Sequence, residues 1–229
     1  MPLLRDIQAV TFDVGGTLIR PWPSVGHVYS EVAVQHGHVN VKPEILNRQF
    51  STAWRAKRNF DHSRGAWLEL VKHTFDGSLD EAAVQKLFDR VYERFAVPDA
   101  WQVFDDVRPT LDVLRGRGLK LAVISNWDER LRPLMARLEL SGYFEPTVIS
   151  VEVGFAKPSR QIFERAVSLL GVPPGSIVHV GDSLAEDVAG ATAAGLRGIL
   201  IDRTGARSEG ASIRTLAELN DLETVFHRH

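Results

Sequence analysis

The chain has 229 residues, 44% of them hydrophobic and 24% charged, which is enough apolar material for one large domain or for a core domain with a smaller insert. Its 27 Lys and Arg against 29 Asp and Glu give a net charge of -2, so no field favours nucleic acid or an anionic membrane as a partner. Cysteine is absent, which excludes disulfides, thiolate zinc sites and cysteine nucleophiles.

The start, "MPLLRDIQAV", is too short and too charged for a signal peptide. No apolar run approaches the length of a membrane span, and a cytoplasmic protein is expected. The run Ile7–Asp13 is apolar and β-branched up to its final carboxylate, which predicts a buried strand. From about Ser24 to Val97 the text turns amphipathic and helical, as in "KPEILNRQFSTAWRAKR" and "LDEAAVQKLFDRVYERF". Pro21 and Pro23 mark the way in, and Pro98 to Asp106, with Trp101, marks the way out. Then strand and helix alternate: helix Arg108–Arg117, strand Leu119–Asn126, helix Glu129–Leu140, strand Thr147–Val153, helix Ser159–Leu170, strand Ser176–Asp182, helix Leu184–Ala194, strand Arg197–Asp202 and helix Ile213–Asn220. The tail "FHRH" is polar and is expected to fray.

That alternation predicts an α/β fold, a Rossmann-like parallel sheet with helices on both faces. Residues 21–101 form an inserted helical cap domain, and 1–20 with 102–229 form the core. No internal repeat or low-complexity segment is visible.

In parallel sheets ligands sit beyond the carboxyl ends of the strands. Those ends carry Asp13, then Ser125 and Asn126, then Lys157 in "GFAKPS", then Gly181, Asp182 and Ser183, with Asp187 about one helical turn on. Singly, each has an ordinary use as a helix cap, turn former or surface charge. Together they bring two acids, a hydroxyl, an amide and a lysine to one rim. Two carboxylates at one spot repel unless a divalent cation lies between them, and oxygen-only ligands suit Mg²⁺. Lys157, Ser125 and the free N–H groups of the glycine turn are suited to hold phosphoryl oxygens, and Asp13 to attack phosphorus. Thr17 fixes the turn beside Asp13, and Gly15 and Gly16 let the backbone approach metal and ligand closely.

With "FDVGGTL", "VISN", "AKPS" and "GDSLAED" in this order, the sequence resembles the haloacid dehalogenase (HAD) superfamily of hydrolases over nearly its whole length. The insert between the first two motifs resembles the small cap of subfamily I. "RGLKLAVISNWDERL", "WQVFDDVRPTL" and "KPSRQIFERAV" resemble the HAD-like hydrolase domain-containing protein 3 group. The resemblance implies a phosphatase in which Asp13 is the nucleophile and Asp182 and the Gly15 carbonyl join Asp13 around Mg²⁺. Ser125, with Asn126 and Thr17 nearby, and Lys157 would hold the phosphate of a small phosphorylated metabolite, and Asp187 would anchor the metal or the lysine. A monomer or a homodimer is equally compatible with the sequence.

One position departs from the pattern. Phosphatases of the superfamily usually carry a second aspartate two residues after the first, which protonates the leaving alcohol and then activates water. Here that position is Gly15. Losing a general acid/base typically costs about 10²–10⁴-fold in rate. Help from the cap is one remedy, with His27, His36, His38, His62, His73, Arg55, Lys57, Arg58, Arg64 and Trp67 as candidates. Substrates with good leaving groups, such as acyl phosphates, are another. Three further readings stay open: a haloacid dehalogenase, whose halide leaves without a proton; a phosphonate hydrolase, with Lys57 as the Schiff-base lysine; and a ligand-binding protein without turnover.

Overall fold

A computed structural model describes residues 7–57, 60–205 and 212–221. The expected tail lies outside these residues, as does Arg58. Eight strands are present among them: β1 (Ala9–Phe12), β2 (Ile19–Pro21), β3 (Trp101–Val103), β4 (Lys120–Ser125), β5 (Thr147–Ile149), β6 (Ile177–Gly181), β7 (Arg197–Ile201) and β8 (Ser212–Ile213). Six of them form one sheet in the order β5-β4-β1-β6-β7-β8, and every pairing in it is parallel. All residues of the central strands β1 and β6 are buried, which is why they read as apolar runs interrupted only by Thr11 and His179. The chain moves outward from β1 through β4 to β5, then returns to pair β6 on the other side of β1. The strand order thus reverses between β1 and β6, and the crevice at their carboxyl ends is where such sheets bind ligands.

The chain divides into two compact units. The first takes in Met1–Ile19, Val103–Glu129 and Glu139–His229, so far as these are described. It holds the large sheet with helices α5 (Val107–Gly116), α7 (Ser150–Val153), α8 (Arg160–Leu170) and α9 (Gly190–Ala193). α8 buries Ile162, Phe163, Ala166 and Leu170, the apolar stripe of a 3.6-residue period, against Ala9, Ala122, Ile124 and Ile177. Each large side chain so buried contributes about 1.5–3 kcal/mol.

The second unit takes in Arg20–Gln102 and Arg130–Leu138. Its helices are α1 (Val25–Gln35), α2 (Pro43–Ala56), α3 (Arg64–Phe75), α4 (Glu81–Arg94) and α6 (Leu131–Arg137). Three starts are set by side-chain caps, with Ser24, Ser63 and Asp80 accepting the N–H groups of His27, Ala66 and Ala83. Proline opens α2. Tyr29, Leu46, Val71, Phe75, Leu87 and Phe88 form the core. The sequence expectation stopped this domain at residue 101, but the unit also gathers α6. Arg130 explains how: its guanidinium lies 3.5 Å from the Tyr92 ring centroid and donates to the Tyr92 carbonyl at 2.7 Å. Where the chain passes between the units, β2 and β3 pair as a two-stranded sheet that the sequence did not announce.

Three expected elements differ in kind. The strand expected over Thr147–Val153 stops at Ile149, and α7 follows. Ser150 turns the chain: its hydroxyl accepts the Trp127 N–H at 3.0 Å and lies 3.1 Å from the Trp127 carbonyl. The helix expected over Leu184–Ala194 begins as a π-turn, Leu184–Ala189, before α9. The Val188 N–H reaches back to the Ser183 carbonyl, and the Asp187 carboxylate accepts the Ser183 N–H at 3.0 Å, which holds the wider turn. The helix expected from Ile213 instead starts as β8, Ile213 pairing with Ile201, and only Leu216–Asp221 is helical, as a 3₁₀ turn. Glu218 sets that start by accepting the N–H groups of Arg214 and Thr215. Among the described residues, no helix is long and apolar enough to cross a membrane.

Candidate active site

Asp13 stands just past β1, its N–H bonded to the Val180 carbonyl of β6 at 2.9 Å. The chain then turns tightly: Leu18 and Ile19 both donate to the Val14 carbonyl, and Gly16 donates to Ile19. Gly16 has a φ of +78° and faces the Asp182 carboxylate so closely that a Cβ would collide with it. Only glycine meets both demands. Thr17 is fully buried, and among the described residues its hydroxyl has no hydrogen-bond partner. Its carbonyl accepts Arg203 at 2.7 Å, and Arg203 in turn makes a two-pronged pair with Asp106 at 3.0 and 3.1 Å. The loop is thereby tied to the strand-end region after β7.

Lys157 is the hub. Its Nζ donates to Asp13 Oδ1 at 2.7 Å and to Asp187 Oδ1 at 2.5 Å, with the side chain almost wholly buried. Burial alone favours the neutral amine, but the two carboxylates outweigh it and hold Lys157 protonated, above its ordinary range. Ser125 donates to Asp13 Oδ1 at 3.0 Å. Burial pushes the Asp13 carboxyl up, with Lys157 opposing and Asp187 adding to the rise. Burial likewise acts upward on Asp187, yet the Lys157 charge and the His179 bond hold it well below the usual carboxylate range.

Behind Asp187 stands a pair the sequence reading missed. His179 is fully buried, with Nε2 3.1 Å from Asp187 Oδ1 and Nδ1 2.8 Å from the Thr11 hydroxyl. The carboxylate can only accept, so the ring donates from Nε2 and the Thr11 hydroxyl donates to Nδ1. Burial holds His179 below its ordinary value, as the neutral ring. Thr11 and His179 are register partners across β1 and β6, 168 residues apart in sequence. A polar residue inside an apolar run was the available signal in both strands.

The carboxylates of Asp13, Asp182 and Asp187 bring one oxygen each within 4.8 Å of one another. Three carboxylates face one ammonium and a neutral imidazole, an excess of two negative charges if all three are ionised. Desolvation, together with Asp13 and Asp187, pushes the Asp182 carboxyl up to about 7, even though solvent reaches its side chain. A divalent cation would remove that conflict, and an all-oxygen donor set suits Mg²⁺. The donors present therefore fit the metal. Asp13 and Asp182 could hold it, since Asp187 is already committed to Lys157, His179 and the Ser183 N–H; nothing in the geometry places the Gly15 carbonyl, the third group expected from the resemblance, at the cluster.

Asn126 has a task that the sequence did not suggest. Its Oδ1 accepts the Lys157 N–H at 2.6 Å, and its Nδ2 donates to the Lys157 carbonyl at 2.9 Å and to Glu186 at 3.2 Å. It clasps the main chain of the lysine on both sides. The cap candidates all lie in the second unit. His27 meets the Ser24 hydroxyl, His36 the Val32 carbonyl, and Arg64 pairs with Asp89 at 2.7 Å. His62 and Trp67 belong to an aromatic cluster with Phe60. Lys57 and His73 line a cleft of about 640 Å³ with Arg48 and Glu69.

A family model described as haloacid dehalogenase-like hydrolase matches residues 7–195. The human haloacid dehalogenase-like hydrolase domain-containing protein 3 is 36% identical over 207 residues, covering 86% of this chain and 82% of that protein. Among solved structures, a HAD phosphatase from Thermococcus onnurineus superposes with a TM-score of 0.68 at 29% identity, covering 95% of this chain and 98% of that one. A 2-haloacid dehalogenase from Pseudomonas syringae pv. Tomato DC3000 gives 0.64 at 27%, covering 97% and 99%. Sheet order, rim chemistry and these likenesses agree, and the chain belongs to the haloacid dehalogenase-like hydrolases.

Proposed function

We propose that the protein is a Mg²⁺-dependent phosphohydrolase that acts on a small phosphorylated metabolite through a phosphorylated Asp13. The observation that carries this reading is the convergence of the Asp13 and Asp182 oxygens within 4.8 Å beside the Lys157 ammonium. Mg²⁺, when bound, supplies charge neutralisation at the phosphoryl oxygens. Both side-chain donors to Asp13 fall on Oδ1, which leaves Oδ2 as the attacking oxygen. The new bond joins Oδ2 to phosphorus, and the bond from phosphorus to the leaving oxygen breaks with its electron pair on that oxygen. Water then attacks phosphorus, which frees inorganic phosphate and restores the carboxylate. Lys157 favours the ionised carboxylate against the burial that raises it, Ser125 helps to aim it, and Lys157 reduces repulsion between the site and an anionic substrate. The phosphatase among the structural relatives supports this choice.

Halide displacement is the second reading, favoured by Gly15 and by the dehalogenase relative. It needs no cation, and the excess negative charge around Asp182 disfavours it. The deciding experiment is a substrate panel with and without Mg²⁺. Metal-stimulated release of phosphate supports the proposal, and metal-independent release of halide from 2-haloacids replaces it.

A further inference from the structure

The space beside Gly15 is filled. A Cβ built on Gly15 would stand 3.2 Å from Cζ3 and 3.9 Å from Cη2 of Trp127. The first of these distances is tighter than an ordinary contact and requires the indole to give by a few tenths of an ångström before a side chain stands there. The indole is not hung on a loose segment. Trp127 follows Ser125 and Asn126, both already engaged with the site, and its main-chain N–H and carbonyl meet the Ser150 hydroxyl at 3.0 and 3.1 Å. Its carbonyl also accepts the Val151 N–H at 3.3 Å. Asp128, the next residue, is fully buried.

The titratable groups around Asp13 in this unit have other duties. Lys157 is shared between Asp13 and Asp187, His179 between Thr11 and Asp187, and Glu186 accepts from Asn126. Asp182 is the group placed to hold the cation. The direction in which residue 15 would project thus meets an aromatic edge, which neither gives nor takes a proton.

We propose that Trp127 is a specificity-determining residue: with Gly15 it forms a protonless wall beside Asp13 that selects acyl and aryl phosphates over alkyl phosphates. This deepens the phosphohydrolase reading and rests on it. A leaving group's demand for a proton follows its basicity. Carboxylates, phenoxides and alkoxides have conjugate acids near ~4, ~10 and ~16. In the first step Oδ2 of Asp13 bonds to phosphorus while the leaving oxygen departs as an anion with the electron pair of the broken bond. No protein proton is consumed. In the second, water attacks phosphorus, the bond from phosphorus to Oδ2 breaks with its electron pair on the carboxylate, and the water's proton leaves with inorganic phosphate.

The test measures kcat/KM with Mg²⁺ for acetyl phosphate, a series of aryl phosphates and an alkyl phosphate. Four proteins are compared: wild type, Gly15→Asp, Trp127→Ala and the double variant. The wild type is expected to fall by more than about 100-fold from the acyl to the alkyl ester, the scale of a missing general acid. Gly15→Asp alone is expected to gain less than about 10-fold on the alkyl ester, because the indole holds its side chain away. The double variant gains about 100-fold there and little on the acyl ester. A full gain in Gly15→Asp alone overturns the role of Trp127. Equal wild-type rates on acyl and alkyl esters overturn it too, while leaving the hydrolase reading intact. Phosphate released from no ester overturns both.

A thermal double-mutant cycle tests the steric premise without turnover. Gly15→Ala is expected to lower Tm in the wild-type background and by clearly less in Trp127→Ala. Additive shifts overturn the premise. Trp127→Phe, which keeps a ring, serves where Trp127→Ala fails to fold.

Discussion

Lys157 Nζ sits 2.5 Å from Asp187 Oδ1, and both side chains are only 2% exposed. A buried ion pair of this kind is weak evidence for stability by itself, yet breaking one side of it is costly, at about 3–5 kcal/mol. Lys157→Met is therefore expected to lose several kcal/mol, because Asp187 and Asp13 are left facing each other without a counter-charge. Lys157→Met with Asp187→Asn removes the orphaned charge. We expect it to recover a substantial part of the loss in urea denaturation, and additive losses would show that the pair is not the coupling.

Asp13→Asn keeps shape but removes the nucleophile. The expected outcome is loss of phosphate release by about 10³-fold or more, with Tm close to wild type because the Lys157–Asp187 pair persists. Full activity in that variant would remove Asp13 from the mechanism.

The excess negative charge of the three-aspartate cluster gives a metal prediction that needs no substrate. Mg²⁺ at about 100 times its Kd is expected to stabilise the wild type by about 2.7 kcal/mol, read as a rise in Tm of several degrees. Asp182→Asn is expected to abolish that rise while leaving the metal-free protein no less stable, since one repelling charge is gone. Gly16→Ala is expected to weaken Mg²⁺ binding as well, because its Cβ runs into the Asp182 carboxylate at a φ of +78°. An undiminished Mg²⁺ shift in both variants would place the metal elsewhere.

How much of this was legible in the sequence depended on whether a residue's meaning lay in its own neighbourhood. β1, β4, β6 and β7 were readable because strands buried on both faces need continuous apolar side chains, and the acids ending β1 and β6 broke that rule conspicuously. Lys157 and Asp187 were visible as residues past strand ends, and of the two anchoring roles open to Asp187, metal or lysine, the 2.5 Å contact with Lys157 is the one seen. The role of Asn126 was invisible, because its amide bonds the main chain of Lys157, 31 positions on. Thr11 and His179 were hidden for a similar reason: only the register of β1 on β6 makes them a pair. Where a local pattern misled, a side chain had redirected the backbone, as Ser150 does by ending β5 and Asp187 by widening the turn after β6. Trp127 stood in plain sight after "VISN", and its weight came only from its approach to Gly15.

His179 yields a pH prediction. Its ring is buried and neutral in the folded protein, held below its ordinary value by burial. A depressed folded value means the unfolded chain takes up a proton that the native state refuses. The stabilisation is thus complete above the unfolded value, about 6.5, and is lost as pH falls below it toward the folded value. Asp187 has the same sign, but its loss begins only below the ordinary carboxylate value of 3.8. Asp13 and Asp182, both raised, take up protons in the folded state and add stability as pH falls, so between pH 6.5 and 5 any decline from this buried cluster should come from His179. His179→Gln offers an amide N–H toward Asp187 and cannot be protonated in this range. We expect it to be less stable than wild type at pH 7.5 through lost packing against Phe163, whose ring lies 5.2 Å from the imidazole. Its Tm should nevertheless fall less steeply between pH 6.5 and 5. Parallel Tm profiles for the two proteins would mean that His179 carries its proton in the folded state, and the Thr11 hydroxyl would then have to turn its own proton away from Nδ1.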